Sequence, residues 1–536
     1  MQADFSRRTF DRAKHFSAVL SQQGRVQLDA DANEQAAILL YRLRTVIADL
    51  VGPAAAPESA AGFAIEPHFD TSQKLDDLRI SPGRIYVHGI LVENEQGAPA
   101  DQNSWATYWN QPDGYLEPDA VADQLPQAVP FVVYLRVWER LITAVQDPAI
   151  REVALGDPGP DTAARSKVIW QVATHALTQA RGGKTPTQQL TDWLNSLNPR
   201  PGVLAAQAKR PAHADEDPCH ISPESRFRGP ENQLYRVEVH SGGQAGTAQT
   251  GRTAATKASD AGSSALSGAT FKWSRENASV VFPIVSMSGA EVEVATLGRD
   301  GKLGLEVGNW VEVVDDASAS RVADDVLLAE VQKAAPALRQ VVSIDPADRL
   351  VTLSGEATGD CGPGTRPELH PLLRRWDHRS PTTAGDRKIE IVDDGALPIV
   401  EGSWIDLEDG VQVRFQSSVA EESRTYRRGD YWLIPARTIT GDVEWPNDHN
   451  GPVARKPHGV HYHYAPLAVI AAADSVTELR PTFKPLSSAG QVATVTKAEN
   501  SEEAVGAPST PTASTQPATA PSTRRSATAA KEKDEA

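Results

Sequence analysis

Phe131-Val132-Val133-Tyr134-Leu135-Arg136-Val137-Trp138-Glu139-Arg140 is dense in β-branched and aromatic residues. Such side chains pack well on a pleated surface, so the run reads as a strong strand. Lys167-Val168-Ile169-Trp170-Gln171-Val172 reads as another. Upstream, Leu78 to Glu93 reads as a hairpin or pair of short strands, with turns at Pro82-Gly83 and His88-Gly89. Downstream, Leu234-Tyr235-Arg236-Val237-Glu238-Val239-His240 alternates as a half-buried strand does, and Phe271-Lys272-Trp273-Ser274-Arg275 looks like its partner. Between them Ser241 to Thr270 is made almost wholly of small and polar residues, and is expected to be a disordered loop insertion. Such an insertion costs little, because closure entropy grows only logarithmically with length.

A short pattern recurs further on. Gly308-Asn309-Trp310-Val311-Glu312-Val313 and Gly402-Ser403-Trp404-Ile405-Asp406-Leu407 both read Gly-x-Trp followed by apolar-acidic alternation, and Gly429-Asp430-Tyr431-Trp432-Leu433-Ile434 is a looser copy. Each suggests a turn that delivers a strand with one buried face, as in small barrels or sandwiches of related design.

The fold class expected is mainly β, α+β overall: an N-terminal helical arm, several small antiparallel β domains of barrel or sandwich type, and a disordered tail. The segments read as 1–53 (arm and helix), 62–180 (β), 181–223 (irregular connector with a short helix near Thr187 to Leu197), 224–360 (β, with the loop 241–270), 365–485 (β) and 486–536. That last segment lacks aromatic residues and cannot bury a core. Gly52 to Ala61 reads as an Ala/Pro/Gly linker. The helix before it has candidate N-caps in Asp29, Asp31 and Asn33, a stop at Gly52-Pro53, and an apolar stripe of Leu39, Leu43, Val46 and Leu50. That stripe reads as ordinary core packing.

With 536 residues, 70 acidic and 53 basic, the formal net charge is -17. This disfavours sequence-blind nucleic-acid binding and an anionic membrane partner. No run is long enough to span a bilayer, and Met1 to Arg12 is too polar for a secretory signal, so synthesis and retention in a cytosol, or exit by another route, is expected. Two cysteines, Cys219 and Cys361, allow one disulfide at most.

Chemistry-bearing residues are sparse. His458, His461 and His463 are the best metal candidates, weighed against packed or hydrogen-bonded rings. Cys219-His220 reads as structural. Asp315-Asp316 and Asp393-Asp394 read as turn markers before calcium or glycosidase sites. No phosphate loop, nucleophile elbow or His-Glu-x-x-His occurs. No cofactor is expected, and the reading leans away from an enzyme.

Phe10 to Leu28 with the helix start Asp29-Ala30-Asp31-Ala32-Asn33-Glu34-Gln35, then Pro82 to Asn94, Tyr134 to Arg140, Phe227 to Glu238, Phe271 to Asn277 and Gly429 to Arg437, together carry a resemblance. The chain resembles an uncharacterised bacterial family associated with phage-like tails and contractile injection systems. Its opening is similar to the start of some phage baseplate and tail-fibre proteins. Ala32 departs from that pattern, which carries Trp there.

The resemblance implies a non-catalytic structural component of such a particle, at the baseplate or as a fibre, bound to other tail proteins and released with the particle. Phe5, Phe10, His15, Phe16 and Arg25 are the expected docking arm. One alternative is a cargo effector, such as a metal-dependent hydrolase acting on surface glycans. Another is a carbohydrate-binding module using exposed Trp105, Tyr108 and Trp109, with a cell-surface glycan as partner.

Overall fold

The computed structural model describes residues 2–72, 74–120, 123–156, 159–178, 183–196, 201–209, 226–245, 268–321, 336–356, 362–385, 387–417, 424–472 and 475–485. Cys219, Cys361, the core of the expected loop 241–270 and the expected tail from 486 lie outside them. The molecule is mainly β, in several small antiparallel sheets with few helices.

Three sheets enclose the first core. Phe131–Ile142 and Arg165–Ala176 pair antiparallel along their whole length, from Phe131 opposite Ala176 to Ile142 opposite Arg165. His463–Ala472 pairs on the other side of Phe131–Ile142, and Ser475–Glu478 follows at the edge. The hairpin Gly83–Val87 with Ile90–Asn94 lies in a second sheet with Ala54–Pro57 and Thr482–Phe483. Ile65–Phe69, Leu75–Ile80 and Ala106–Thr107 form the third. Phe63, Leu78, Ile85, Val133, Leu135, Trp170 and Leu467 fill the space between them. Alternation explains the faces: Val133, Leu135 and Val137 enter this core, while Val132 and Tyr134 meet Leu190 of the helix Pro186–Ser196 on the other side.

Two five-stranded sheets share the second core. One runs Leu397–Pro398, Thr270–Ser274, Gln233–Val239, Tyr431–Arg437, Asp442–Val443; the other runs Arg387–Ile389, Thr382–Ala384, Ile405–Asp406, Val411–Phe415, Leu204–Ala208. Tyr235, Val237, Phe271, Trp273 and Trp432 from one meet Leu204, Val413 and Phe415 from the other. A closed six-stranded barrel, Val281–Ser288, Glu291–Val294, Leu350–Leu353, Arg339–Asp345, Trp310–Val314 and Leu372–Trp376, holds the third.

The opposite face of the Gln233–Val239 strand carries buried charge instead of apolar residues. Lys272 Nζ lies 2.7 Å from Glu312 Oε2 on the barrel and 3.5 Å from Glu238 Oε1. Arg236 Nε donates to Glu238 at 2.6 Å, and Trp376 Nε1 donates to Glu312 at 3.0 Å. Burial opposes ionisation of Glu312, but Lys272 and Arg374 outweigh it and bring its pKa down to about 2. These pairs join the five-stranded sheet to the barrel.

Several sequence expectations change here. Segments 62–180 and 365–485 are not separate sheets, because His463–Ala472 is hydrogen-bonded to Phe131–Ile142. Leu204–Ala208, inside the expected irregular connector, is a strand paired with Val411–Phe415. Ala54–Pro57, inside the expected linker, is a strand. Backbone hydrogen bonding is indifferent to residue type, so a small-residue segment can complete a sheet whose other strands supply the apolar area. Gly308, Gly402 and Gly429 all have positive φ and each precedes a strand, but those strands lie in the barrel and in two different sheets.

Candidate docking surface

The helix Asp29–Val51 starts one residue earlier than a side-chain cap would require. Leu28 is the N-cap residue and makes no side-chain cap bond. Asp29 and Asp31 sit in the first turn, where the helix dipole favours negative charge. Asp29 is also taken up by the arm: the Ser6 amide and hydroxyl donate to its two oxygens at 2.9 and 2.6 Å. Partial burial works against ionisation of Asp29, yet these hydrogen bonds outweigh it and hold the carboxyl below its ordinary range. Gly52, at φ 84°, ends the helix, and its N–H reaches Ala48 O.

Residues 2–10 are fastened to the body. The Gln2 amide donates to Glu238 at 3.3 Å, and Asn277 Nδ2 donates to Ala3 O at 2.8 Å. Phe5 packs on Leu234, Tyr431 and Leu433. Arg7 pairs with Glu444 at 3.0 Å, and Thr9 donates to Glu34 at 2.5 Å. Phe10 lies 5.8 Å from the Tyr41 ring. Phe5 and Phe10 therefore both contact the protein's own surface, and Phe10 remains 37% exposed.

Beyond Phe10 the arm is held lightly. Asp11 caps a 3-10 turn, Arg12–Lys14, which His15 closes in the left-handed region at φ 55°. Val19 N donates to Gln35 on the helix at 2.6 Å. Phe16 and Leu28 are about half exposed, while Leu20 is 83% and Val26 84% exposed. Arg25 is exposed after a turn at Gly24. Of the expected docking residues, His15, Phe16 and Arg25 face outward, and Leu20, Val26 and Leu28 join them. The sequence reading missed these three because isolated aliphatic residues in a polar arm carry no periodicity.

The helix provides the larger surprise. Leu39, Leu43, Val46 and Leu50, read from sequence as core, are exposed at 56, 56, 54 and 64%. The face that meets the body carries Ala30 and Ile38, both buried, and Arg44, whose guanidinium pairs with Glu139. The helix packs there against the hairpin, and Gly89 lets the backbones approach: a Cβ at Gly89 would stand 2.1 Å from Arg44 O. Small and polar residues dock this helix, and its leucines are left outside.

A family model described as a family of unknown function (DUF6519) matches residues 1–210 and 199–536. The chain belongs to that family. No curated protein and no solved structure matches it. The two matches of this DUF6519 member overlap across Leu204–Ala208, the strand that closes one edge of the second core.

The other candidate residues of this family member are arranged as follows. His458 lies tilted against Tyr431 with ring centroids 5.5 Å apart, and His463 lies 5.1 Å from the His88 ring. Burial, then neighbouring cationic groups including Arg8 of the arm, lowers the pKa of both His458 and His461. Among the described residues no group of three His, Cys, Asp or Glu side chains could hold a metal ion. Tyr108, expected to be exposed, is buried in the first core with its hydroxyl on Asp123 O, and Trp109 packs against that core with its indole N–H on Asp76 O. Asp315 caps the short helix Asp316–Ser320, and Asp394 is buried, accepting from Ser241 and Thr270. No helix among the described residues is long and apolar enough to cross a membrane.

Proposed function

We propose that this protein is a non-catalytic structural component of a phage-tail-like or contractile injection particle, at the baseplate or as a fibre, docked through its N-terminal arm onto other tail proteins. One observation carries the docking: after a firmly bound start, the arm presents Phe16, Leu20, Val26 and Leu28 outward with slight attachment to the body. Apolar side chains left this exposed are available to a partner's surface. The resemblance of the arm, the Pro82 to Asn94 hairpin and the later motifs to tail-associated proteins supplies the setting.

The test is a tagged pull-down from the native cell with mass spectrometry, using the wild-type chain and a Phe16→Ala, Leu20→Ala variant. Recovery of sheath, tube or baseplate proteins in near-fixed ratio, lost in the variant, is the expected result. Recovery without tail proteins overturns the setting. Unchanged recovery with the variant overturns the arm.

A further inference from the structure

The exposed helix face carries a coiled-coil repeat, flanked on one side by Leu40, which is 44% exposed, and Ile47. Leu39, Leu43, Val46 and Leu50 are separated by 4, 3 and 4 residues, and Ala32 and Ala36 extend the same rhythm toward the N-terminus. Alternating three and four is the a/d repeat of two helices wound together. Every residue of the seam is exposed, because the body is met by the other face through Ala30, Ile38 and Arg44. We infer that this seam binds the same helix of a second copy of the chain, antiparallel, about a two-fold axis. This deepens the assembly role proposed above by naming one partner.

The residues flanking the seam decide both direction and register. With Leu43 at an a position and Val46 at a d position, Gln35, Arg42 and Asp49 occupy g, and Leu40 and Ile47 occupy e. A parallel pair brings g against e, so Arg42 would face Ile47 of the second copy and lose its hydration for nothing. An antiparallel pair brings g against g and e against e. When Leu43 packs on Val46 of the second copy and Leu39 on Leu50, Arg42 faces Asp49 and Leu40 faces Ile47. By two-fold symmetry each match occurs twice, as an isologous interface requires. Sliding one helix by a heptad sets Arg42 against Arg42 of the second copy, which like-charge repulsion disfavours. One alignment therefore satisfies the apolar seam and both flanks, and Arg42 and Asp49 are exposed. The matched region ends at Leu50, just before Gly52 turns the chain away.

Sedimentation velocity on the purified full-length chain over a concentration series tests this. The expected species is a reversible dimer. Leu43→Glu puts two carboxylates into the seam and yields monomer, with circular dichroism unchanged because Leu43 touches no core. Arg42→Asp weakens the dimer about tenfold, since two opposed pairs become two repulsions. Combining Arg42→Asp with Asp49→Arg restores the wild-type constant. A wild-type monomer throughout, a trimer, or a double variant no tighter than Arg42→Asp alone overturns the inference. The arm variant in the pull-down reads the docking separately, so either claim can fail without the other.

Discussion

The Arg44 guanidinium holds the Glu139 carboxylate by two parallel hydrogen bonds, Nη1 to Oε2 at 2.8 Å and Nη2 to Oε1 at 2.9 Å. Arg44 is on the helix and Glu139 on the strand Phe131–Ile142 of the first core, so the pair sets which helix face meets the body. Bidentate geometry fixes orientation as well as distance. Replacing Arg44 by Ala leaves a half-buried carboxylate without its partner and should cost about 1–3 kcal/mol locally. Hydrogen exchange should quicken in residues 29–51 while the barrel strands keep their protection.

Gly89 makes the same contact possible from the other side. Its φ is 78°, and a Cβ would fall within van der Waals distance of the Arg44 backbone. Gly89→Ala combines left-handed strain with a backbone clash and should cost about 2–4 kcal/mol. The expected signature is faster exchange in both the helix and the hairpin. Unaltered exchange in the helix would show that the hairpin does not support it.

Lys272 is enclosed between Glu238 and Glu312, over the face of Trp376 at 4.3 Å. Lys272→Met preserves much of the volume but takes the ammonium from two buried carboxylates, leaving Glu238 on Arg236 and Glu312 on the Trp376 indole. A loss of about 3–5 kcal/mol in denaturant unfolding is expected. Adding Glu312→Gln should recover part of it, since one buried charge is removed.

Acid should weaken the fold in two windows. Burial lowers the His378 pKa from 6.5 to about 4, with the ring Nε2–H donating to Gly395 O at 2.8 Å. The unfolded chain takes up this proton near pH 6.5 and the folded chain only near 4, so stability present above 6.5 is lost as pH falls toward 4, by about 3 kcal/mol. Below 4.5 the carboxylates follow. Glu312, folded at about 2, and Glu139, held below 4.5 chiefly by Arg44, both favour the folded state above 4.5 and lose that contribution on further acidification. Unfolding midpoints across pH 7 to 3 check this, with His378→Phe removing only part of the upper-window loss, because His458, His461 and His463 also have lowered pKa values.

Phe5 and Phe16 should separate packing from docking. Phe5→Ala removes the ring from Leu234, Tyr431 and Leu433 and should loosen residues 2–10, seen as faster proteolysis of the arm. Phe16→Ala, at a half-exposed ring, should change stability by less than about 0.5 kcal/mol and act only on partner binding.

Composition and periodicity carried much of this protein's local structure. The β-branched run at Phe131, the hairpin around His88-Gly89 and the match of Leu234–His240 with Phe271–Arg275 follow from side-chain shape and turn chemistry, which act over a few residues. So does the helix, from its acidic first turn to Gly52. Which strand pairs with His463–Ala472, and that Ala54–Pro57 is a strand at all, came only from the tertiary structure. Backbone hydrogen bonding over hundreds of residues leaves no mark in either partner's sequence. The same limit governed the functional surface. Leu39, Leu43, Val46 and Leu50 define an apolar stripe by their spacing alone. That the stripe faces outward was decided by Ala30, Ile38, Arg44 and Gly89, because close backbone approach and one ion pair, not apolar area, determine which side of the helix the body holds.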